Sequence, residues 1–319
     1  MNNLKNSRSN NFLPNFLLVF ATLAVVVTSA LSLASWPRFE GVSAMPFFAN
    51  IKSAVARENY PPIPVYRGQN PLTVGSESVF AMDIDSEVVL LAKNENVSML
   101  PASTVKMMTA LVAVDAYASD LSLEVKNPVV VGQKMGLRTG EKISTNNLLN
   151  GLLIYSANDA AEVLAQNYSG GKSAFVELMN KKANNLGLLN THFTNPSGVD
   201  ESGQYTTARD LAYLGLALIK NAEISGIVAT KQKTVASIDG AIQHKLVSTN
   251  QLLGEVPGVL GIKTGWTEFA RENLVTYVIR DNHKVIIAVL GSADRFGETK
   301  RIIDWIYGNF TWQPVTDFL

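Results

Sequence analysis

The sequence contains no cysteine. That absence removes disulfides, thiolate metal sites and a cysteine nucleophile together. Histidine is nearly as scarce. His192, His244 and His283 stand far apart, and no H-E-x-x-H pattern occurs, so neither a metal centre nor any other cofactor is expected. Neither sign of charge is in excess: 27 Lys+Arg against 27 Asp+Glu give a formal net charge of zero. A nucleic-acid binder needs a local surplus of cations to neutralise phosphates. The basic clusters, Lys231-Gln-Lys233 and Lys300-Arg301, are too small for that and read as solvated surface. Gly258, Gly261 and Gly265 do not form a G-x-G-x-x-G fingerprint. Asp83-Ile-Asp85 falls at a predicted hairpin turn, where Asp is common, rather than at a metal site. There is no internal repeat and no low-complexity tract. What the chain does have is apolar content, 47% of 319 residues, enough to fill a sizeable core.

One long hydrophobic run exists. Phe16 to Ser35 carries no charge over 20 residues, with Lys5 and Arg8 before it and Trp36 after it. About 20 apolar residues span a bilayer, whereas a cleavable signal usually has about 7–15. Small residues at Thr28-Ser-Ala30 and Ser32-Leu-Ala34 keep cleavage open as well. The expectation for residues 1–36 is therefore a short cytoplasmic stub with a transmembrane anchor, or a removed signal. Either places the chain beyond residue 36 on the extracytoplasmic side. Residues 37–75 hold six of the twelve prolines and read as a stiff linker. A folded domain is expected over residues 76–312, with a tail at 313–319.

Within that domain, Ser78–Ile84 and Val88–Lys93 read as a hairpin across Asp85-Ser86. A helical pattern opens at Pro101-Ala-Ser103, with Val105, Met108, Leu111, Val112 and Ala116 on one face. Met99, Met107 and Met108 read as core filling. Further helices are predicted at Thr145–Tyr155, Asp159–Asn167, Ser173–Leu186 and Thr207–Lys220. Strands return at Gly261–Thr267, Asn273–Arg280 and His283–Gly291, and a last helix at Glu298–Tyr307. Strands, a helical middle, then strands predict one sheet whose first and last parts meet, with a helical subdomain inserted.

Three short elements bear chemistry. Ser103-Thr-Val-Lys106 places a hydroxyl and an amine one helical turn apart. Serine is a poor nucleophile until a base takes its proton, and a lysine whose pKa is lowered can be that base. A helix N-terminus also offers free backbone N–H groups to an oxyanion. Chance supplies about one S-x-x-K in a chain of this length, and Ser169-Gly-Gly-Lys172 matches too, in a predicted loop. Ser156-Ala-Asn158 is no rarer, since Ser9, Ser144 and Ser248 begin the same spacing. Its position between two predicted helices sets it apart. Lys263-Thr-Gly265 occurs once, at the start of a strand, where Gly lets a ligand approach the backbone.

In this order the elements are the signature of active-site serine penicillin-recognising enzymes. Pro101-Ala-Ser-Thr-Val-Lys-Met-Met-Thr109, Ser156-Ala-Asn-Asp-Ala-Ala161, Asn195-Pro-Ser-Gly-Val199 and Gly261-Ile-Lys-Thr-Gly-Trp-Thr267 closely resemble the low-molecular-mass D-alanyl-D-alanine carboxypeptidases, peptidase family S11. Leu186-Gly-Leu188 ahead of Thr191-His-Phe-Thr-Asn195 fits as well, so the resemblance covers about residues 77–312. It implies a β-lactamase/transpeptidase-like α+β fold, an antiparallel sheet flanked by helices. It also implies a substrate, peptidoglycan stem peptides ending in D-Ala-D-Ala, and inhibition by β-lactams. Ser103 would be the acylated nucleophile and Lys106 its base. Ser156 and Asn158 would continue the proton relay and hold the substrate amide. Lys263 would supply positive charge, and Thr264 would bond the substrate carboxylate. The backbone N–H groups of Ser103 and Trp266 would form the oxyanion hole. Gly265 completes the tripeptide, and Arg295 resembles a family arginine near the carboxylate subsite, although a surface ion pair is the competing reading.

Two departures stand out. The residues after Gly265 are expected to finish the catalytic domain, leaving no room for the β-rich second domain of many relatives. Ser197 stands where the family often has histidine. The rival activities are a D,D-endopeptidase, a class A-type β-lactamase and a silent wall-binding protein. The β-lactamase would need a glutamate four residues before Asn195, where Thr191 stands.

Overall fold

A computed structural model of the chain describes residues 60–68 and 71–318. The expected membrane segment and most of the expected linker lie outside these residues. In chain order the regular elements are β1 (Ile63–Tyr66), β2 (Ser78–Asp83), β3 (Val89–Lys93), α1 (Lys106–Ala116), β4 (Ser122–Glu124) and β5 (Lys142–Ser144). Next come α2 (Thr145–Ile154), α3 (Asn158–Asn167), α4 (Gly171–Asn185), α5 (Ala208–Ile219) and α6 (Ala222–Val228). The hairpin β6 (Gln232–Ala236) and β7 (Gln243–Val247) precedes β8 (Val259–Thr267), β9 (Arg271–Arg280), β10 (His283–Ser292), α7 (Arg295–Asn309) and β11 (Phe310–Gln313).

The main sheet is antiparallel with strand order β3-β2-β10-β9-β8, so the first and last strands of the domain do meet at β2 and β10. β10 explains the arrangement. Its apolar run leaves no polar face, so both faces must be covered. Ile286, Ala288 and Leu290 enter one core with Phe80, Met82 and the helices α1 and α5. Val285, Ile287 and Val289 enter the other with Ile302, Ile303 and Ile306 of α7. Each fully buried isoleucine of that helix contributes about 1.5–3 kcal/mol. Helices therefore flank the sheet on both faces, and α2–α4 form the helical subdomain between β3 and the returning strands. Met107 and Met108 are fully buried in the core.

The linker reading needs correction at its end. Ile63–Tyr66 is a strand, paired antiparallel with Phe310–Gln313. Its prolines were the linker signal, but in a two-stranded ribbon each strand keeps a free edge, where a missing N–H does no harm. Aromatic packing anchors the ribbon: Tyr66 lies 5.3 Å from Phe310, and Trp312 stacks on His283 at 4.2 Å. The tail carries a short 3-10 turn, Val315–Phe318.

Candidate active site

The nucleophile segment is a strained turn rather than the first turn of an α-helix. Ala102–Val105 is a 3-10 turn that runs into α1, and Ala102 has φ 49, a left-handed value that costs a non-glycine residue energy. The surroundings enforce it. A Cβ on Gly198 would meet Ala102 O at 2.0 Å, and one on Gly265 would meet Ala102 Cβ and Pro101 O at 3.1 Å. The Ala102–Ser103 backbone is thus wedged between two glycines. Gly265 admits the nucleophile's own backbone, a closer demand on that position than the ligand approach expected from sequence. From β9, fully buried Asn273 donates to Leu100 O (2.9 Å) and Pro101 O (3.1 Å) and accepts from Gly291 N (3.0 Å).

Lys106 Nζ lies 2.8 Å from Ser103 Oγ and also donates to Ser197 O. The lysine is completely buried. Burial holds its pKa well below the ordinary lysine value, the nearby Lys263 lowers it further, and Asp159 opposes both. Ser197, standing where the family often has histidine, takes part through its backbone carbonyl. Thr109 Oγ1 donates to Pro196 O (2.6 Å) and ties that turn to α1.

Ser156 is the middle residue of the short connection between α2 and α3, with φ 63. Its Oγ accepts from Lys263 Nζ at 2.8 Å, and the same ammonium donates to Thr264 O at 2.9 Å. Lys263 is buried as well, and its pKa is pushed down to about 7 by burial first and Arg295 second. Asn158 spends its Nδ2 on Val131 O (2.7 Å) and its backbone N–H on Gln133 O (2.7 Å). Its buried Oδ1 has no partner among the described residues, so a residue that lines the cleft keeps an unused acceptor.

Thr264 Oγ1 contacts Thr249 Oγ1 at 2.7 Å. Arg295 is not a surface ion-pair residue: its Nη1 donates to Gly265 O at 2.8 Å, and its backbone N–H bonds Glu272 at 2.9 Å. Trp266 stands 62% exposed at the mouth. Ser103, Ser156, Asn158, Thr264, Gly265, Trp266 and Arg295 all line one open cleft of about 630 Å³. The two lysines lie buried behind it. All nine nominated residues therefore meet at one place.

The decoys go elsewhere. Lys172 pairs with Glu162 at 2.8 Å. Ser144 caps α2 by accepting from Asn147 N. Asp83 accepts from Ser86 and Trp312, and Asp85 pairs with Lys284. Among the described residues no cluster of side chains could hold a metal. Thr191 bonds Asp210 (2.8 Å) and is buried, so no carboxylate stands at the position a class A-type β-lactamase needs. Asn273, Thr249 and the Ser197 carbonyl were missed by sequence reasoning. A threonine in an irregular stretch ahead of β8, or an asparagine inside a strand of valines and leucines, carries no signal until the register is known.

A serine hydroxyl beside a buried lysine, a second Ser–Lys pair behind it and a Lys-Thr-Gly edge strand define an active-site serine enzyme of the penicillin-recognising class. The chain belongs to the D-alanyl-D-alanine carboxypeptidase family, peptidase family S11, whose model matches residues 66–294. It is 32% identical over 250 residues to the D-alanyl-D-alanine carboxypeptidase DacF of Bacillus subtilis, a match covering 75% of this chain and 64% of that protein. It is 34% identical to DacB2 of Mycobacterium tuberculosis, covering 75% of this chain and 84% of that one. Among solved structures, the Streptomyces K15 DD-transpeptidase superposes with TM-score 0.71 at 29% identity, covering 75% of this chain and all of the other. A Mycobacterium tuberculosis D-alanyl-D-alanine carboxypeptidase does so at 0.71 and 31%, covering 78% and 100%.

Proposed function

We propose that this chain is a serine-type D-Ala-D-Ala carboxypeptidase acting on peptidoglycan stem peptides, and that β-lactams acylate it at Ser103. The observation that carries the reading is the fully buried Lys106 amine 2.8 Å from Ser103 Oγ. Lys106, its pKa lowered by burial, takes the hydroxyl proton as Ser103 attacks the carbonyl between the two D-alanines. The oxyanion is received by the backbone N–H groups of Ser103 and Trp266. Ser156, bonded to Lys263, passes its proton to the departing amine and regains one from protonated Lys106, so D-alanine leaves with a neutral amine, Lys106 is a free base again and an ester remains on Ser103. Water then attacks that ester with the same base, returning the serine. Arg295, Thr264 and Thr249 hold the terminal carboxylate, and Asn158 Oδ1 accepts from the substrate backbone.

The uncharged run Phe16–Ser35 supports an extracytoplasmic location with an N-terminal membrane anchor or a cleaved signal. A substrate in the cell wall fits that side. Two assays on the full chain test the reading. A labelled penicillin attaches covalently, and Ser103→Ala abolishes the label; label that survives the substitution refutes the site. D-alanine is released from a pentapeptide ending in D-Ala-D-Ala. Cleavage confined to cross-linked dimers assigns an endopeptidase instead.

A further inference from the structure

Asp159 is almost wholly buried beside the catalytic residues, yet acyl transfer gives it no part. It follows Asn158 directly, in the first turn of α3. Its carboxylate accepts four backbone N–H groups. One is local, from Ala160 (3.0 Å). The other three come from consecutive residues of a distant loop: Met135 (3.0 Å) to Oδ1, and Gly136 (2.9 Å) and Leu137 (3.1 Å) to Oδ2. That loop supplies Val131, Gly132 and Gln133 to the cleft wall. It contains no regular element between β4 and β5. Without a ladder, its backbone donors need another acceptor, and Asp159 provides one.

The clamp reaches the reacting groups from both ends. The wall segment returns two bonds to Asn158, through Val131 O and Gln133 O, each 2.7 Å. Asn158 and Asp159 thereby share one loop between them, two and three residues beyond a serine held at φ 63. On the outer side, Met135 O meets His244 Nδ1 at 3.1 Å, which braces the same segment against β7. We propose that Asp159 is a positioning residue: its carboxylate locks residues 135–137 to the start of α3 and so fixes the Ser156–Asn158 limb and the cleft wall against Ser103. It touches no reacting atom. The same charge also bears on the base. Lys106 is faced by Lys263 of β8, which lowers its pKa, and by Asp159, which raises it, while Arg295 of α7 acts on Lys263. A merely structural anchor would not touch that balance.

The rate readout rests on the acyl-transfer reading, but the exchange readout does not. In Asp159→Asn one acceptor oxygen is replaced by a donor that opposes the loop N–H groups. Labelled-penicillin acylation at saturation is expected to fall about 10- to 100-fold from misplacement alone. The acid limb of its pH profile is expected to move to lower pH, because removing the anion lets the Lys106 pKa drop further. Asp159→Glu, which keeps the charge, leaves that limb in place. Unchanged acylation, or a fall with no movement of the limb, overturns the proposal. Amide exchange on the full wild-type chain decides separately, and decides alone if the asparagine variant does not fold. Met135, Gly136 and Leu137 should be protected although Gly136 is exposed. Exchange of all three at the rate of the exposed Gly132–Lys134 amides sinks the clamp. A chain that takes no penicillin at all, yet shows this protection, would fail the functional reading and keep the clamp.

Discussion

Two Ser–Lys pairs lie in this cleft, each at 2.8 Å, and they are built in opposite ways. Ser103 and Lys106 are three residues apart, so a single local turn, braced by Gly198 and Gly265, brings them together. Ser156 and Lys263 are 107 residues apart and meet only when α3 and β8 are both in place. Each lysine has one hydroxyl and one carbonyl to receive its protons, but Lys106 has Lys263 against it and its pKa lies well below the ordinary range, whereas Lys263 has Arg295 against it and is held at about 7. Burial and the neighbouring lysine bias the local pair toward the free base that accepts a proton. The long-range pair is set to titrate near neutral pH and to pass one on. Similar groups, equally buried and at equal distance, thus take different work from different charged neighbours.

The sharpest way to break this contrast is to remove the base. Lys106→Ala should lower the acylation rate by about 10²–10⁴-fold, the usual contribution of a positioned general base. Lys106→Arg should recover none of it, because a guanidinium does not give up its proton near neutral pH. Recovery by arginine would mean that charge, not proton uptake, is what the position supplies. Labelled-penicillin kinetics at pH 7 read both variants.

A second substitution asks how firmly the local pair is held. Gly198→Ala would place a methyl group 2.0 Å from Ala102 O, at a residue with φ +84. The left-handed backbone costs about 1–2 kcal/mol and the overlap about 1–3 more. Gly203→Ala has the same backbone demand, φ +86, with nothing nearer than 3.7 Å, so it should show the first part alone. Urea unfolding of the pair separates strain from wedging. Equal losses would show that the nucleophile turn tolerates movement.

The same contrast explains what could be read from the sequence. The turn that joins Ser103 to Lys106 is a matter of spacing, and the apolar runs of β9 and β10 announce a strand pair covered on both faces. Lys263, Thr264 and Gly265 were legible because a regular edge strand carries them. Resemblance to a known family, not periodicity, assigned Ser156. What stayed hidden depends on the register of distant segments. Ile63–Tyr66 becomes a strand only because Phe310–Gln313 lies beside it. Arg295 leaves the surface only because the end of β10 aims it at Gly265. Asn273 matters because its strand position puts it opposite Gly265 and beneath Pro101. Side-chain bonds to loop backbone, such as those of Asn158, have no period for a sequence pattern to reveal.

The smallest predicted effect concerns the stability of the long-range pair. Lys263 titrates at about 7 in the folded chain and at about 10.4 when unfolded. Below pH 7 both states carry the proton, and the full penalty of a buried charge weighs on the fold. Between about pH 7 and 10 only the unfolded state still binds the proton, so the penalty fades as pH rises through this window. The sign is set by the folded pKa lying below the unfolded one: stability rises with pH across this window and is lost as pH falls toward 7. Lys263→Met, which fills similar space without the charge, should therefore raise the unfolding free energy most at pH 6, by about 1–4 kcal/mol, and least near pH 10. Acylation should fall in the same variant. Thermal unfolding at several pH values checks the slope. A variant less stable than wild type at pH 6 would mean that the bonds to Ser156 and Thr264 outweigh desolvation, and the relay pair would then be a structural link as well as a chemical one.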